Sequence, residues 1–234
     1  MKQPLVILGV GGNAYDVLDI VEAANADAPR WEVVGFLDDA RTQGAAHLGF
    51  PVLGPLREAA RWVGCAFINA IGSDGSFWRR PEIVAATGLG AERFATLVHP
   101  AASVSRRARL GRGVFVNYGA SLAGGVSVGD HVVLGPGAII GHDAVIEDHT
   151  VVAPGAVVSG FVHIQGPSYI GARAVIRQRQ RVGARALVGM GAVVVRDVAP
   201  GTTVVGNPAR LLRPERGRPP AEAAPRLAAA EELR

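Results

Sequence analysis

Cysteine is nearly missing from this sequence: Cys65 stands alone, so no internal disulfide can form. It lies in the apolar run CAFINAIG and reads as a small buried hydrophobe rather than a nucleophile. Lysine is as scarce. Lys2 is the only one, and the net charge of +4 rests on scattered arginines. Aromatic residues make up 6% of the chain and no basic arm is interleaved with them, so nucleic acid is not an expected partner. No apolar run approaches the roughly 18 residues that span a bilayer, and the opening MKQPLVILGVGG lacks a signal-peptide cleavage pattern. No membrane association and a cytoplasmic location are therefore expected. Charged residues are 19% against 49% apolar, which excludes a disordered chain and leaves enough for one large or two modest domains.

Two textures meet near residue 100. Before it, strand-like and helix-like segments alternate: PLVILG, then helical GGNAYDVLDIVEAANA, strand WEVVGFLDD, a short FPVLG, helical PLREAARWV, strand CAFINAIG, a helical stretch in SFWRRPEIVAATG, and a last strand RFATLVHP. Such alternation predicts a small parallel α/β sheet over residues 1–100. From Val104 the chain divides into sixteen hexads without insertion, each beginning with Val, Ile or Leu, and the fifth position is nearly always Ala, Val, Thr or Ser. A short, sustained period predicts a β-solenoid over 101–212, with the aliphatic first residues pointing inward. Residues 213–234, rich in Pro, Ala, Glu and Arg, read as a mobile tail.

If three hexads close one coil, positions 18 apart stack at roughly 4.8 Å, the spacing of paired strands. Gly124 and Gly160 then lie below and above His142, and Gly125 and Phe161 flank Asp143. A slot beside the imidazole is expected, open to a substrate; the ordinary alternative is a solvated turn. Successive histidines of the repeats, 131, 142, 149 and 163, are 11, 7 and 14 apart. None of these is a multiple of 18, so no column is expected to carry two, and no metal site is expected. Gln178 and Arg179 fall two coils above His142 and Asp143, roughly 10 Å up the face. There Arg177, Arg179 or Arg181 could meet a ligand phosphate or simply face water.

The hexads, with LVILGVGGNAYDVLDIVE, VVGFLDD, FATLVHPAASVS, GHDAVIED and VVGNPAR, carry a resemblance across the chain to about residue 212. It resembles the sugar O- and N-acetyltransferases of the sialic acid O-acetyltransferase and nucleotide-4-amino-sugar N-acetyltransferase type, within the hexapeptide-repeat superfamily. That resemblance implies an N-terminal Rossmann-like domain holding a nucleotide-sugar and an all-β left-handed parallel β-helix. It also implies a homotrimer with acetyl-CoA between subunits and no metal. By family position His142 is the general base and Asp143 its acidic partner, while Ala172 and Met190 contact CoA through backbone atoms; the phosphate that Arg177, Arg179 or Arg181 could meet is then one of CoA. An imidazole suits this chemistry, because an attacking sugar amine must lose a proton to a group of near-neutral pKa. The sequence departs from the family at Gly135, Gly141 and Val151.

In the first domain, GVGG at 9–12 joins a strand to a helix, where backbone amides and the helix N-terminus can meet phosphate oxygens. The resemblance places Gly11, Gly12 and Asn13 near the phosphates or sugar, and Asp38 and Asp39 near base and ribose. A structural glycine turn and a solvated Asp pair are the ordinary alternative. The expected activity is acetyl-CoA-dependent N-acetylation of a nucleotide-linked amino sugar. The alternatives are O-acetylation of a free sugar or natural product, a non-catalytic nucleotide-sugar-binding scaffold, and a zinc hydratase.

Overall fold

A computed structural model describes residues 2–212. The tail expected over 213–234 lies outside the described residues. The N-terminal half runs β1 (Gln3–Leu8), α1 (Asn13–Asp27), β2 (Trp31–Leu37), β3 (Ala46–His47), β4 (Phe50–Gly54), β5 (Ala66–Asn69) and α2 (Arg80–Ala85). Its sheet has the order β3-β4-β2-β1-β5, with β1 pairing in parallel to β2 on one side and β5 on the other. The run PLREAARWV forms a 3-10 turn, Leu56–Arg61, rather than an α-helix. RFATLVHP adds no strand to this sheet: Phe94 makes one bridge to Phe67, and Leu97–Val98 (β6) pairs with Phe115–Val116 of the solenoid. The solenoid ladder thus starts at Leu97.

Beyond β6 the chain winds into a three-sided parallel prism. One face carries Leu97–Val98, Phe115–Val116, Val133–Leu134, Val151–Val152, Tyr169–Ile170, Leu187–Val188 and Thr203–Val205, closed by antiparallel Arg210–Leu212. A second carries Ser103–Val104, Ser121–Leu122, Ile139–Ile140, Val157–Val158, Val175–Ile176 and Val193–Val194. The third carries Arg109–Leu110, Ser127–Val128, Val145–Ile146, His163–Ile164 and Arg181–Val182. Partners are offset by 18 residues, Ile139 to Val157 to Val175 for example.

The hexad explains this geometry position by position. First residues such as Leu122, Ile140 and Val158, and fifth residues such as Ala138, Ala144 and Ala156, fill one continuous core. Each buried aliphatic side chain contributes roughly 1.5–3 kcal/mol. The fourth position takes left-handed backbone, φ 56° at His131, 57° at Asp143 and 58° at Phe161, and glycine recurs there at 113, 119, 125, 137, 155 and 191. The residue before each inward first position points outward, and these residues distinguish the faces. Phe115, Val133, Val151 and Tyr169 pack against Ile7, Phe36, Ile68 and Phe77 of the α/β domain, making one shared core. Ile139, Val157, Val175 and Val193 form an apolar stripe in which Ile139 is 48% exposed. Arg109, Ser127, His163 and Arg181 make the third face largely polar. The faces are called docked, apolar and polar below.

Candidate functional site

His142 and Asp143 stand at the corner where the apolar face turns into the polar one, between Ile139–Ile140 and Val145–Ile146. His142 Nδ1 lies 3.0 Å from Asp143 Oδ2, with both side chains at least half exposed. With Nδ1–H donating to the carboxylate, Nε2 carries a lone pair that can accept a proton. The imidazole leans up its column. A Cβ at Gly160 would sit 2.8 Å from His142 Nε2, so that glycine leaves room for the ring, while one at Gly141 would sit 2.6 Å from the Gly160 nitrogen, so that glycine lets the two coils stack. The space that a side chain at position 160 would take is thus occupied by the imidazole itself. Phe161 then meets the ring edge to face, with centroids 4.9 Å apart and planes at 88°. The His142 side chain as a whole remains 62% exposed at this corner.

Arg179 is in the same corner but not extended up the face. Its guanidinium folds down onto Phe161, 4.5 Å from the ring centroid, one layer above the imidazole. Ala172 and Met190 stack on each other at a different corner, between the docked and apolar faces, and Met190 is 81% exposed. Within one chain the width of the apolar face separates them from His142.

The histidine spacing needs correction. His131 and His149 are 18 apart and share a column, their rings stacked at 5.0 Å and 9°. His142 falls between them in the chain, so the two are not successive histidines. It sits at the corner between the polar and docked faces. Burial lowers the His131 pKa, with the Arg80 charge adding to the effect. Burial and the neighbouring His131 bring His149 down to about 4. Both Nδ1 atoms are buried without a hydrogen-bond partner. Among the described residues, no three His, Cys, Asp or Glu side chains are grouped to hold a metal ion.

A second site lies in the α/β domain. The chain leaves β1 toward β2 on one side and later returns to β5 on the other, so the carboxyl ends of β1 and β5 part at a topological switch point. A cavity of about 410 Å³ opens there, lined by Gly11, Gly12, Asn13, Asp38, Gly72 and Tyr169 among others. A Cβ at Gly11 or Gly12 would meet nothing within 4 Å, so the space above this loop is open for close backbone approach. Asn13 donates from Nδ2 to the Gly72 carbonyl across the cavity mouth at 3.1 Å. Asp38 holds the loop, accepting from the Val10 N–H at 3.1 Å and the Ala40 N–H at 2.8 Å. Asp39 faces away, accepting from the Leu56 N–H at 2.8 Å, and does not line the cavity. Tyr169 comes from the docked face of the prism, so this pocket is built by both domains. No local motif marks Tyr169. The signal in the sequence was one polar aromatic in a column otherwise filled by Phe115, Val133, Val151 and Leu187. Cys65 is buried, and burial pushes its thiol pKa up.

Six-residue repeats closing a parallel prism, with an exposed His–Asp corner, define the class of hexapeptide-repeat transferases. Two family models match: one described as PglD N-terminal domain, over residues 4–80, and one as bacterial transferase hexapeptide (six repeats), over 107–142 and 125–160. Among solved structures, the acetyltransferase domain of PglB from Neisseria gonorrhoeae FA1090 in complex with acetyl coenzyme A is 34% identical. The match covers 91% of this chain and 100% of that one, with a TM-score of 0.77. PerB from Caulobacter crescentus, in complex with CoA and GDP-perosamine, is 27% identical over 89% of this chain and 97% of that one, TM-score 0.77. WeeI from Acinetobacter baumannii AYE is 27% identical over 89% and 99%, TM-score 0.75. No curated protein matches the chain significantly. The chain belongs to the hexapeptide-repeat sugar acetyltransferase family, a Rossmann-like α/β domain followed by a left-handed parallel β-helix, and it is an acyltransferase.

Proposed function

We propose that this chain transfers the acetyl group of acetyl-CoA to the amino group of a nucleotide-linked amino sugar, with His142 as general base. The observation that carries this reading is the 3.0 Å His142–Asp143 contact, which engages Nδ1 and leaves Nε2 as the proton-accepting nitrogen of an exposed side chain. Acetyl-CoA is bound by PglB, and CoA with GDP-perosamine by PerB. The sugar nitrogen attacks the thioester carbonyl carbon, and Nε2 takes the proton that the nitrogen loses. The tetrahedral intermediate then collapses, breaking the C–S bond, and the imidazolium returns the proton to the departing thiolate. Asp143 fixes the tautomer and stabilises the imidazolium. The nucleotide diphosphate lies over Gly11, Gly12 and Asn13 at the amino end of α1, where free N–H groups and the helix dipole favour an anion.

The working unit is a homotrimer. The apolar stripe of Ile139, Val157, Val175 and Val193 supports this reading, because a second copy covering it removes that surface from water. Cyclic packing would also bring the His142 corner of one copy beside the Ala172–Met190 corner of the next, assembling an acetyl-CoA groove that one chain lacks. No helix among the described residues is long and apolar enough to cross a membrane. We place the protein in the cytoplasm, with its proposed co-substrates.

The test is release of CoA thiol from acetyl-CoA in the presence of UDP-, GDP- or dTDP-linked amino sugars, with sedimentation of wild type and Val175→Asp. Turnover with one amino sugar, and loss of both trimer and turnover in the variant, are expected. Turnover only with hydroxyl analogues would overturn the acceptor assignment, and a fully active monomer would overturn the shared groove.

A further inference from the structure

Arg80, the first residue of α2, is fully buried, yet no carboxylate among the described residues pairs with it. Its Nη1 donates to the Ile71 carbonyl and its Nη2 to the His131 carbonyl of the β-helix, and Nε has no partner. Burial lowers its pKa to about 9, so it remains a cation at neutral pH. Burial is the main cause of the lowered pKa of His131 and His149, and the Arg80 charge adds to it at both. Buried charge is costly unless something opposite in sign approaches it.

Its location shows what could approach. Ile71 and Gly72 form the β5 side of the cavity lined by Gly11, Gly12 and Asn13. A Cβ on Gly72 would lie 2.5 Å from Arg80 Nη1, so the guanidinium is pressed against the back of that wall. The Ile71–Gly72 peptide is trans, and in a trans peptide N–H and C=O point in opposite directions. Arg80 holds the Ile71 carbonyl on its own side, which leaves the Gly72 N–H pointing the other way. That N–H makes no hydrogen bond within the described residues.

We propose that Arg80 is a positioning residue for the nucleotide-sugar site: by holding the Ile71 carbonyl it turns the Gly72 N–H into the cavity as a donor to the diphosphate. The buried guanidinium stands behind this peptide and strengthens the donor, since charge placed on a peptide's carbonyl side polarises its N–H. The anion therefore meets two sets of amides, Gly11–Asn13 from the β1 loop and Gly72 from the β5 loop. Because Arg80 also grips the His131 carbonyl, the β5 side of the site is registered to the β-helix. This inference rests on the nucleotide-sugar reading of the cavity.

Arg80 also joins the two domains, so the test must separate charge from mere support. Calorimetry would measure binding of UDP, GDP and dTDP, and of uridine, guanosine and thymidine, to wild type, Arg80→Gln and Arg80→Lys. With Arg80→Gln, affinity for the preferred nucleoside diphosphate should fall about tenfold or more while affinity for its nucleoside changes little. Arg80→Lys should recover most of the loss. Equal weakening of diphosphate and nucleoside, or none, would overturn the inference and leave Arg80 a structural clasp. If no diphosphate binds wild type, the nucleotide reading itself fails. Should the variants not fold, amide NMR of wild type decides. The Gly72 N–H resonance should move downfield with the diphosphate and not with the nucleoside, and an unmoved resonance beside measurable binding overturns the proposal.

Discussion

Two corners of the same prism carry histidines and use them in opposite ways. At the apolar–polar corner His142 occupies the third hexad position, one residue before the left-handed slot, which Asp143 fills at φ 57°. Its ring is exposed, partnered by a carboxylate and seated on glycine. At the polar–docked corner His131 and His149 occupy the left-handed fourth position themselves, at φ 56° and 62°. There each ring points along the column and stacks on the next, sheltered by Phe94 and near Arg80. One step along the hexad separates the proposed proton acceptor from a packing element. Burial and nearby positive charge hold the stacked pair neutral, while access and a carboxylate equip the other.

Three changes would sharpen or break this contrast. The largest effect is expected from Gly160→Ala. The added methyl would fall 2.8 Å from Nε2 and displace the base without touching the core. The rate constant kcat should fall about a hundredfold, as for a comparable misplacement of a reacting group, with folding intact by circular dichroism. Next comes Asp143→Asn, which keeps a side chain of the same shape but loses its charge. Steady-state turnover should drop about tenfold or more, because the imidazolium loses its stabilising partner. The smallest effect concerns the stacked pair. The folded-state pKa of His149 lies at about 4 against an ordinary 6.5, so the unfolded chain binds more protons between those values. Stability contributed by the neutral ring is complete above pH 6.5 or so and is lost as pH falls toward about 4. Thermal melts of His149→Leu should therefore lose Tm less steeply than wild type over that window, by a few degrees.

The prism was legible because its core repeats in the sequence: Val, Ile or Leu at every sixth residue is what a three-sided coil buries. The His142–Asp143 contact was legible because its two residues are neighbours in the chain. What stayed hidden depends on contacts between distant segments. Tyr169 enters the cavity, and Arg80 reaches His131, only because the α/β domain docks on one particular face. The fold of Arg179 onto Phe161 is a side-chain choice that column arithmetic does not contain; it brings the guanidinium one layer from the His142 ring rather than farther up the face. Asp39 looked equivalent to Asp38 in sequence, but its carboxylate is taken by the turn that begins at Leu56.

The contrast between corners is tested most directly by measuring turnover and Tm together for His142→Ala and His149→Leu, on the same amino-sugar acceptor with acetyl-CoA. The expected result is a loss of about 10²–10⁴ in kcat for His142→Ala at nearly unchanged Tm, and near-normal turnover with an altered melting profile for His149→Leu. Retained turnover in His142→Ala, or a comparable loss in a stably folded His149→Leu, would contradict the assignment of the chemistry to the exposed corner.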